Sequence, residues 1–136
     1  MKKILVFVPF LLAALSSLQA QQSPKIILHL QSADTLVHRS LVNQVTNLKK
    51  EFPNSTIDVI CHGPGMEFLL KKKSVYIDRI QRQNLKDVTF TGCEFTMTQR
   101  NIKREDLVPF ARTVPYALAD IIRKQQDGWF YIKLGF

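Results

Sequence analysis

The spacing of apolar residues changes period several times between residues 25 and 134, and each change marks an element. Lys25-Ile26-Ile27-Leu28-His29-Leu30 is a mostly apolar run of strand length, as expected for a strand covered on both faces. Val37, Leu41, Val45, Leu48 and Phe52 then recur at helical spacing, with Ser32 or Asp34 available as the cap and Pro53-Asn54 as the stop. Thr56 to Cys61 predicts a second strand, broken by His62-Gly63-Pro64-Gly65. Met66 to Lys72 and Val75 to Asn84 read as a short helix and a longer one, and Val88 to Thr91 as the third strand. After Cys93 a short helix runs to Arg100, where Asn101 tolerates the left-handed conformation. A single turn at Arg104 to Leu107 and a brief fourth strand at Arg112 to Val114 follow. Pro115 opens a last helix with apolar positions Leu118, Ile121 and Ile122, Gly128 closes it, and Trp129 to Ile132 is the fifth strand.

Strands alternating with helices predict parallel β-α-β units whose right-handed crossovers place helices on both faces of one sheet, an α/β fold. Ligands and reactive groups gather beyond the carboxyl ends of such strands. That edge carries Gln31 and Ser32, then Cys61, His62 and Gly63-Pro64-Gly65, then Cys93, then Tyr116. Both cysteines of the chain therefore fall on the edge where function is expected.

The N-terminus changes the picture of where this chemistry operates. Met1-Lys2-Lys3, the apolar run Ile4 to Leu15 and the mostly small or polar residues Ser16 to Ala20 have the order of a cleaved secretory signal peptide. The run is shorter than the about 20 residues of a membrane span and contains Pro9. The expected mature chain, residues 21–136, is one domain, periplasmic or secreted, without stable membrane insertion. Taking the two leader lysines from 19 basic residues leaves 17 against 11 acidic ones, a net charge of +6 that favours acidic partners or anionic surfaces. The basic runs Lys71-Lys72-Lys73 and Arg100 to Arg104 lack the interleaved aromatics of base stacking, so no nucleic-acid partner is expected. No phosphate loop, dinucleotide fingerprint or zinc-binding spacing is present, and no metal or cofactor is expected.

Candidate chemistry rests on the thiols. Cys93 stands where a strand meets a helix, and a helix N-terminus stabilises the thiolate, the reactive form; the alternative is a small packing residue. Glu94 beside it opposes ionisation. Cys61 shares alternation parity with Ile57 and Val59 and fits the core, while export leaves a Cys61–Cys93 disulfide or a reversible thiol pair open. His62 is a candidate base or hydrogen-bond donor beside Cys93, or simply the start of a turn. Gly63 and Gly65 are candidates for an anion-binding turn through their backbone N–H groups. Trp129, Phe130 and Tyr131 suit the core and a subunit interface.

The segments "KIILHL", "VICHGPG", "FTGCEFTM", "REDLVPFARTVP" and "QQDGWFYIK", in this order and spacing, resemble the DsrE/DsrF-like proteins of sulfur transfer. The resemblance implies a five-stranded parallel sheet in a three-layer sandwich, assembled as a trimer or hexamer. It also implies a sulfur carrier or sulfurtransferase that holds sulfur as a persulfide at Cys93, with donor or acceptor proteins as partners. The best-understood relay members of the family are cytoplasmic, whereas this chain is expected to be exported. Members without any cysteine also exist, so a non-catalytic oligomeric binding module is the second expectation.

Overall fold

The computed structural model describes residues 23–135, so the signal-peptide reading of residues 1–20 lies outside the described residues. Strand β1, Lys25–Leu30, leads into helix α1, Thr35–Glu51, where the Asp34 carboxylate accepts the Leu36 N–H at 2.8 Å as the N-cap. Strand β2, Thr56–Cys61, is followed by a 3₁₀ segment, Gly63–Leu69, and helix α2, Ile77–Arg82. Strand β3, Val88–Cys93, runs straight into helix α3, Glu94–Gln99, and a 3₁₀ turn covers Arg104–Asp106. Strand β4, Arg112–Val114, helix α4, Ala117–Gln126, and strand β5, Phe130–Leu134, complete the described chain.

All four strand pairings are parallel and the order is β4-β3-β2-β1-β5, the expected α/β sheet. Three local expectations change. Met66 to Lys72 is not an α-helix: Pro64 and Gly65 favour a tighter 3₁₀ segment that drops Met66, Phe68 and Leu69 into the core. The helix expected over Val75 to Asn84 shrinks to six residues. The third strand extends to Cys93, so the thiol belongs to the sheet and not to a loop.

The two faces of the sheet are built differently. On the first face Ile26, Leu28, Leu30, Ile57, Val59 and Phe90 meet Val37, Leu41 and Val45 of α1 and Phe68 and Leu69 of the 3₁₀ segment in one continuous apolar core. On the second, a small cluster of Ile27, Ile60 and Cys93 is covered by Ala117 and Ile121 of α4. Side chains alternate between these faces along each strand. Of the apolar positions expected on α4, Ile121 is buried together with Ala117, whereas Leu118 and Ile122 are exposed. Of the aromatic cluster expected in the core and a subunit interface, Trp129 packs on the second-face cluster, whereas Phe130, Tyr131 and the following Ile132 are exposed; Leu134 is the buried residue of β5. Asn101, at φ 52°, takes the left-handed conformation predicted for it.

Candidate functional site

Chain crossings place Cys93 at a divergence point. Residues beyond β3 return to the first face, where Met97, Leu107, Val108 and Ala111 join the core, whereas the connection leaving β4 takes α4 to the second face. The carboxyl ends of β3 and β4 thus flank the crevice where α/β sheets gather their ligands. Cys93 is still extended, at φ −93° and ψ 115°, so its side chain follows the alternation of β3 toward α4. It N-caps α3 by position but makes no side-chain capping bond to it. The amide that meets the sulfur is that of Ala117, the first residue of α4, which donates to Sγ at 3.5 Å. Sγ in turn lies 4.0 Å from the Pro115 carbonyl. The helix terminus serving the thiol is therefore that of α4, twenty-four residues on in sequence, rather than that of the helix which follows the cysteine.

Cys93 is only 4% exposed. Phe95 and Tyr116 are both exposed, with ring centroids 5.9 Å apart, and the Phe95 amide donates to the Pro115 carbonyl at 3.2 Å. The Glu94 carboxylate accepts the Thr113 hydroxyl at 2.7 Å, which ties it to β4.

Cys61 does not join this site. It is fully buried in the first-face core, and burial together with the nearby Asp58 charge pushes its thiol far above the usual range. The register pairs Cys61 with Gly92, so Cys93, one residue on, points through the opposite face. Both cysteines are free, and the disulfide or reversible pair is excluded in this fold because the sheet separates the two sulfurs.

The glycine turn is not an anion cradle either. The Gly63 amide donates to Thr96 Oγ1 at 3.1 Å, Pro64 has no N–H, and the Gly65 amide donates to the His62 carbonyl at 3.1 Å. Gly65 is required for close packing: a Cβ there would lie 2.2 Å from the Leu30 carbonyl oxygen.

His62 continues the sheet beyond β2, its amide donating to the Leu30 carbonyl at 3.2 Å. Extending the β2–β3 register by one residue sets it beside Cys93 on the α4 face. Its ring nitrogens, however, bond elsewhere: Nδ1 is 2.9 Å from His29 Nε2, and Nε2 is 3.3 Å from the Gln31 amide nitrogen. The His29 and His62 rings stack at 5.0 Å with 15° between their planes. His29 Nδ1 completes the line at 2.7 Å from the Tyr131 hydroxyl. Burial, with His62 and Lys133 nearby, lowers the His29 pKa to about 4, and burial lowers that of His62. Both rings are therefore neutral at pH 7.

Lower on the same face, Asp58 is 1% exposed, accepts the Thr91 hydroxyl at 2.7 Å, and pairs with Lys124 of α4, which also holds Asp120. Burial alone would lower the Lys124 pKa, but hydrogen bonds to Asp120 and Asp58 carry it above the ordinary lysine value. Sequence reasoning missed His29, Tyr131 and this ion pair as parts of a site. The available signal was a histidine and an aspartate inside otherwise apolar strands. No group of three or more metal-ligating side chains occurs among the described residues, and no described helix is long and apolar enough to cross a membrane.

A five-stranded parallel sheet with a cysteine closing its third strand and a helix amide aimed at the sulfur defines a class of thiol-bearing α/β proteins. The chain belongs to the DsrE/DsrF-like family, whose model matches residues 19–134. The same fold occurs in MTH1491, a protein of unknown function from Methanobacterium thermoautotrophicum, at 24% identity and a TM-score of 0.75 over 81% of this chain and 98% of that one. No curated protein matches the chain.

Proposed function

We propose that the protein is an exported sulfur carrier that holds sulfur as a persulfide on Cys93. The observation that carries this reading is the Ala117 amide at 3.5 Å from Sγ, at the start of a ten-residue helix. A helix N-terminus favours the thiolate and, after reaction, the negative persulfide. The thiolate bonds to the sulfane sulfur of a polysulfide, the donor S–S bond breaks, and the shortened polysulfide leaves with the electron pair. With thiosulfate the leaving group is sulfite. An acceptor thiolate then takes the outer sulfur by the same exchange and regenerates Cys93.

Burial of Cys93 means that donor and acceptor reach it only when the structure around the sulfur opens. Exposed apolar groups on α4 (Leu118, Ile122) and on the edge strand (Phe130, Ile132) support assembly into a homo-oligomer, which light scattering tests. Incubating the mature protein with polysulfide and then measuring intact mass should show a reductant-sensitive gain of about 32 Da, one sulfur atom. Cys93→Ser should abolish that adduct and Cys61→Ser should keep it. An unreactive Cys93 in the folded protein favours the second reading, a binding module that retains the fold without the chemistry.

A further inference from the structure

We infer that His29 and His62 form a two-coordinate site for a soft monovalent cation, the cuprous ion, bound in line between His29 Nε2 and His62 Nδ1. The site makes no use of Cys93 and goes beyond the sulfur-carrier reading. It is assembled by neighbouring strands, since His29 lies in β1 and His62 follows β2, 33 positions apart in sequence. No motif spacing announces such a pair.

Its geometry is that of two donors aimed at each other. The facing nitrogens are 2.9 Å apart, the ring centroids are 5.0 Å apart, and the planes differ by 15°. Rings this distant at their centres and this close at one vertex meet end to end, so each facing nitrogen lies along the line to the other ring. A linear nitrogen–metal–nitrogen unit with bonds of about 2 Å spans about 4 Å. Starting from 2.9 Å, the rings must part by about 1 Å to admit the ion. His29 is 3% exposed and its far nitrogen, Nδ1, is held 2.7 Å from the Tyr131 hydroxyl. His62 is only half-buried, stands beyond the end of β2, and its far nitrogen meets exposed Gln31 at 3.3 Å. The movement therefore falls to His62, and the ion enters from the Gln31 side.

Both far nitrogens are thus engaged by side chains that orient the rings, the outer shell that metal-ligating histidines require. Binding conserves the ring protons. With the Gln31 amide nitrogen facing His62 Nε2, His62 Nδ1–H donates to His29 Nε2 in the metal-free pair. In the loaded site both facing nitrogens give lone pairs to the ion, and His29 Nδ1–H donates to the Tyr131 oxygen. The His62 proton then stands on Nε2, where Gln31 turns its amide oxygen to accept it. Both rings stay neutral, and the only charge added is that of the ion.

Ligand count and charge choose the metal. No group of three or more metal-ligating side chains occurs among the described residues, whereas zinc and cupric ions call for at least three ligands and bring two charges. Lys133 stands beside His29, and Arg100 donates to the Gly63 carbonyl next to His62, so a second positive charge is poorly placed here. A cuprous ion is satisfied by two imidazoles in line and brings one charge.

The test uses the mature protein carrying Cys93→Ser, which removes the thiol on this face that would compete for a soft metal. Titrated anaerobically with Cu(I) against bicinchoninate, the protein should retain one equivalent through desalting, and X-ray absorption should show two nitrogen neighbours in line and no sulfur. His62→Asn should abolish retention. Tyr131→Phe leaves both ligands in place and removes only the hydroxyl that orients His29, so it should weaken binding by about 10–100-fold. Zn(II) should not be retained. Absence of bound copper, a sulfur neighbour, full retention in His62→Asn, or equal retention of Zn(II) overturns the site. The absorption spectrum needs no histidine variant, so the test survives a His62→Asn protein that does not fold. Polysulfide adducts of the wild-type protein report on the carrier reading separately: copper binding without an adduct leaves the site standing, and an adduct without copper binding removes it.

Discussion

The two faces of the sheet carry one cysteine each, and only one of the two sulfurs is met by a hydrogen-bond donor. Cys61 ends β2 on the face where α1 and the 3₁₀ segment leave no gap, so its thiol has apolar neighbours and no donor. Cys93 ends the adjacent strand on the face covered by a single helix, and there the first amide of that helix meets its sulfur. The thick face stores most of the apolar burial. The thin face holds connected polar pairs of its own: His29 with His62, and Asp58 with Thr91. The environment of each thiol follows its face rather than its residue type: a thiolate needs a nearby donor, and a fully apolar surround denies it one.

The contrast breaks most visibly in stability. Phe68 is fully buried, edge-on to His38 at 5.3 Å and stacked with Phe90 at 6.1 Å. Phe68→Ala should destabilise the protein by about 3–5 kcal/mol in urea unfolding, against about 1 kcal/mol for Ile121→Val under α4. Equal losses would mean that the second face carries as much of the core as the first.

Next in size is the ion pair that fastens α4 to the sheet. Lys124→Met leaves the Asp58 carboxylate buried with the Thr91 hydroxyl and a more distant Arg112 at 3.9 Å. Removing one member of such a pair should lower stability by about 3 kcal/mol. Since Ala117 starts the same helix, the variant should also disturb Cys93 alkylation. A stable Lys124→Met protein with normal alkylation would show that α4 is held by its apolar contacts alone.

The histidine pair gives the second face a pH signature of its own. His29 titrates near 4 in the folded chain, against about 6.5 unfolded, so the unfolded state binds more protons between these values. Stability from this group is fully present above pH 6.5 and is lost as pH falls toward 4. The expected loss is on the order of 2 kcal/mol, after allowing for the solvent-facing side of the pair. Urea midpoints at pH 7 and pH 4.5 should therefore converge in His29→Gln.

Much of this architecture was legible in the chain, for reasons that also mark where legibility stops. β1, α1 and β2 obey clear periods and have chemical stops, Asp34 at one end of the helix and Pro53 at the other. The 3₁₀ segment did not, since Pro64 and Gly65 announce a turn without saying how Phe68 and Leu69 are buried after it. On α4 Ile121 was legible as a buried position, but Leu118 and Ile122 were not separable from it by size alone; Ala117, Ile121 and Lys124, at i, i+4 and i+7, are the ones turned to the sheet. Cys93 was legible as a junction residue, but the amide serving it comes from a different helix. The His29–Tyr131 contact joins residues 102 positions apart, and only the placement of β5 beside β1 creates it. Local pattern carries no trace of such a pairing.

The smallest expected effect concerns Glu94, the acidic neighbour that by sequence opposes a thiolate at Cys93. In the fold its carboxylate accepts the Thr113 hydroxyl at 2.7 Å at an exposed position on the far side of β3 from the histidines. A solvent-screened charge held in that way has little leverage on a buried sulfur. Glu94→Gln should accordingly change the rate of Cys93 alkylation at pH 7 by no more than about twofold, a surface-charge effect. Thr113→Val removes the hydroxyl that anchors the carboxylate, and with Glu94 intact it should slow alkylation more than Glu94→Gln changes it. Rising ionic strength should then restore the rate, as screening requires. A large acceleration in Glu94→Gln itself would mean that the carboxylate acts on the thiol despite its anchor, and that the thin face is governed by this one acid rather than by the helix amide and the histidines.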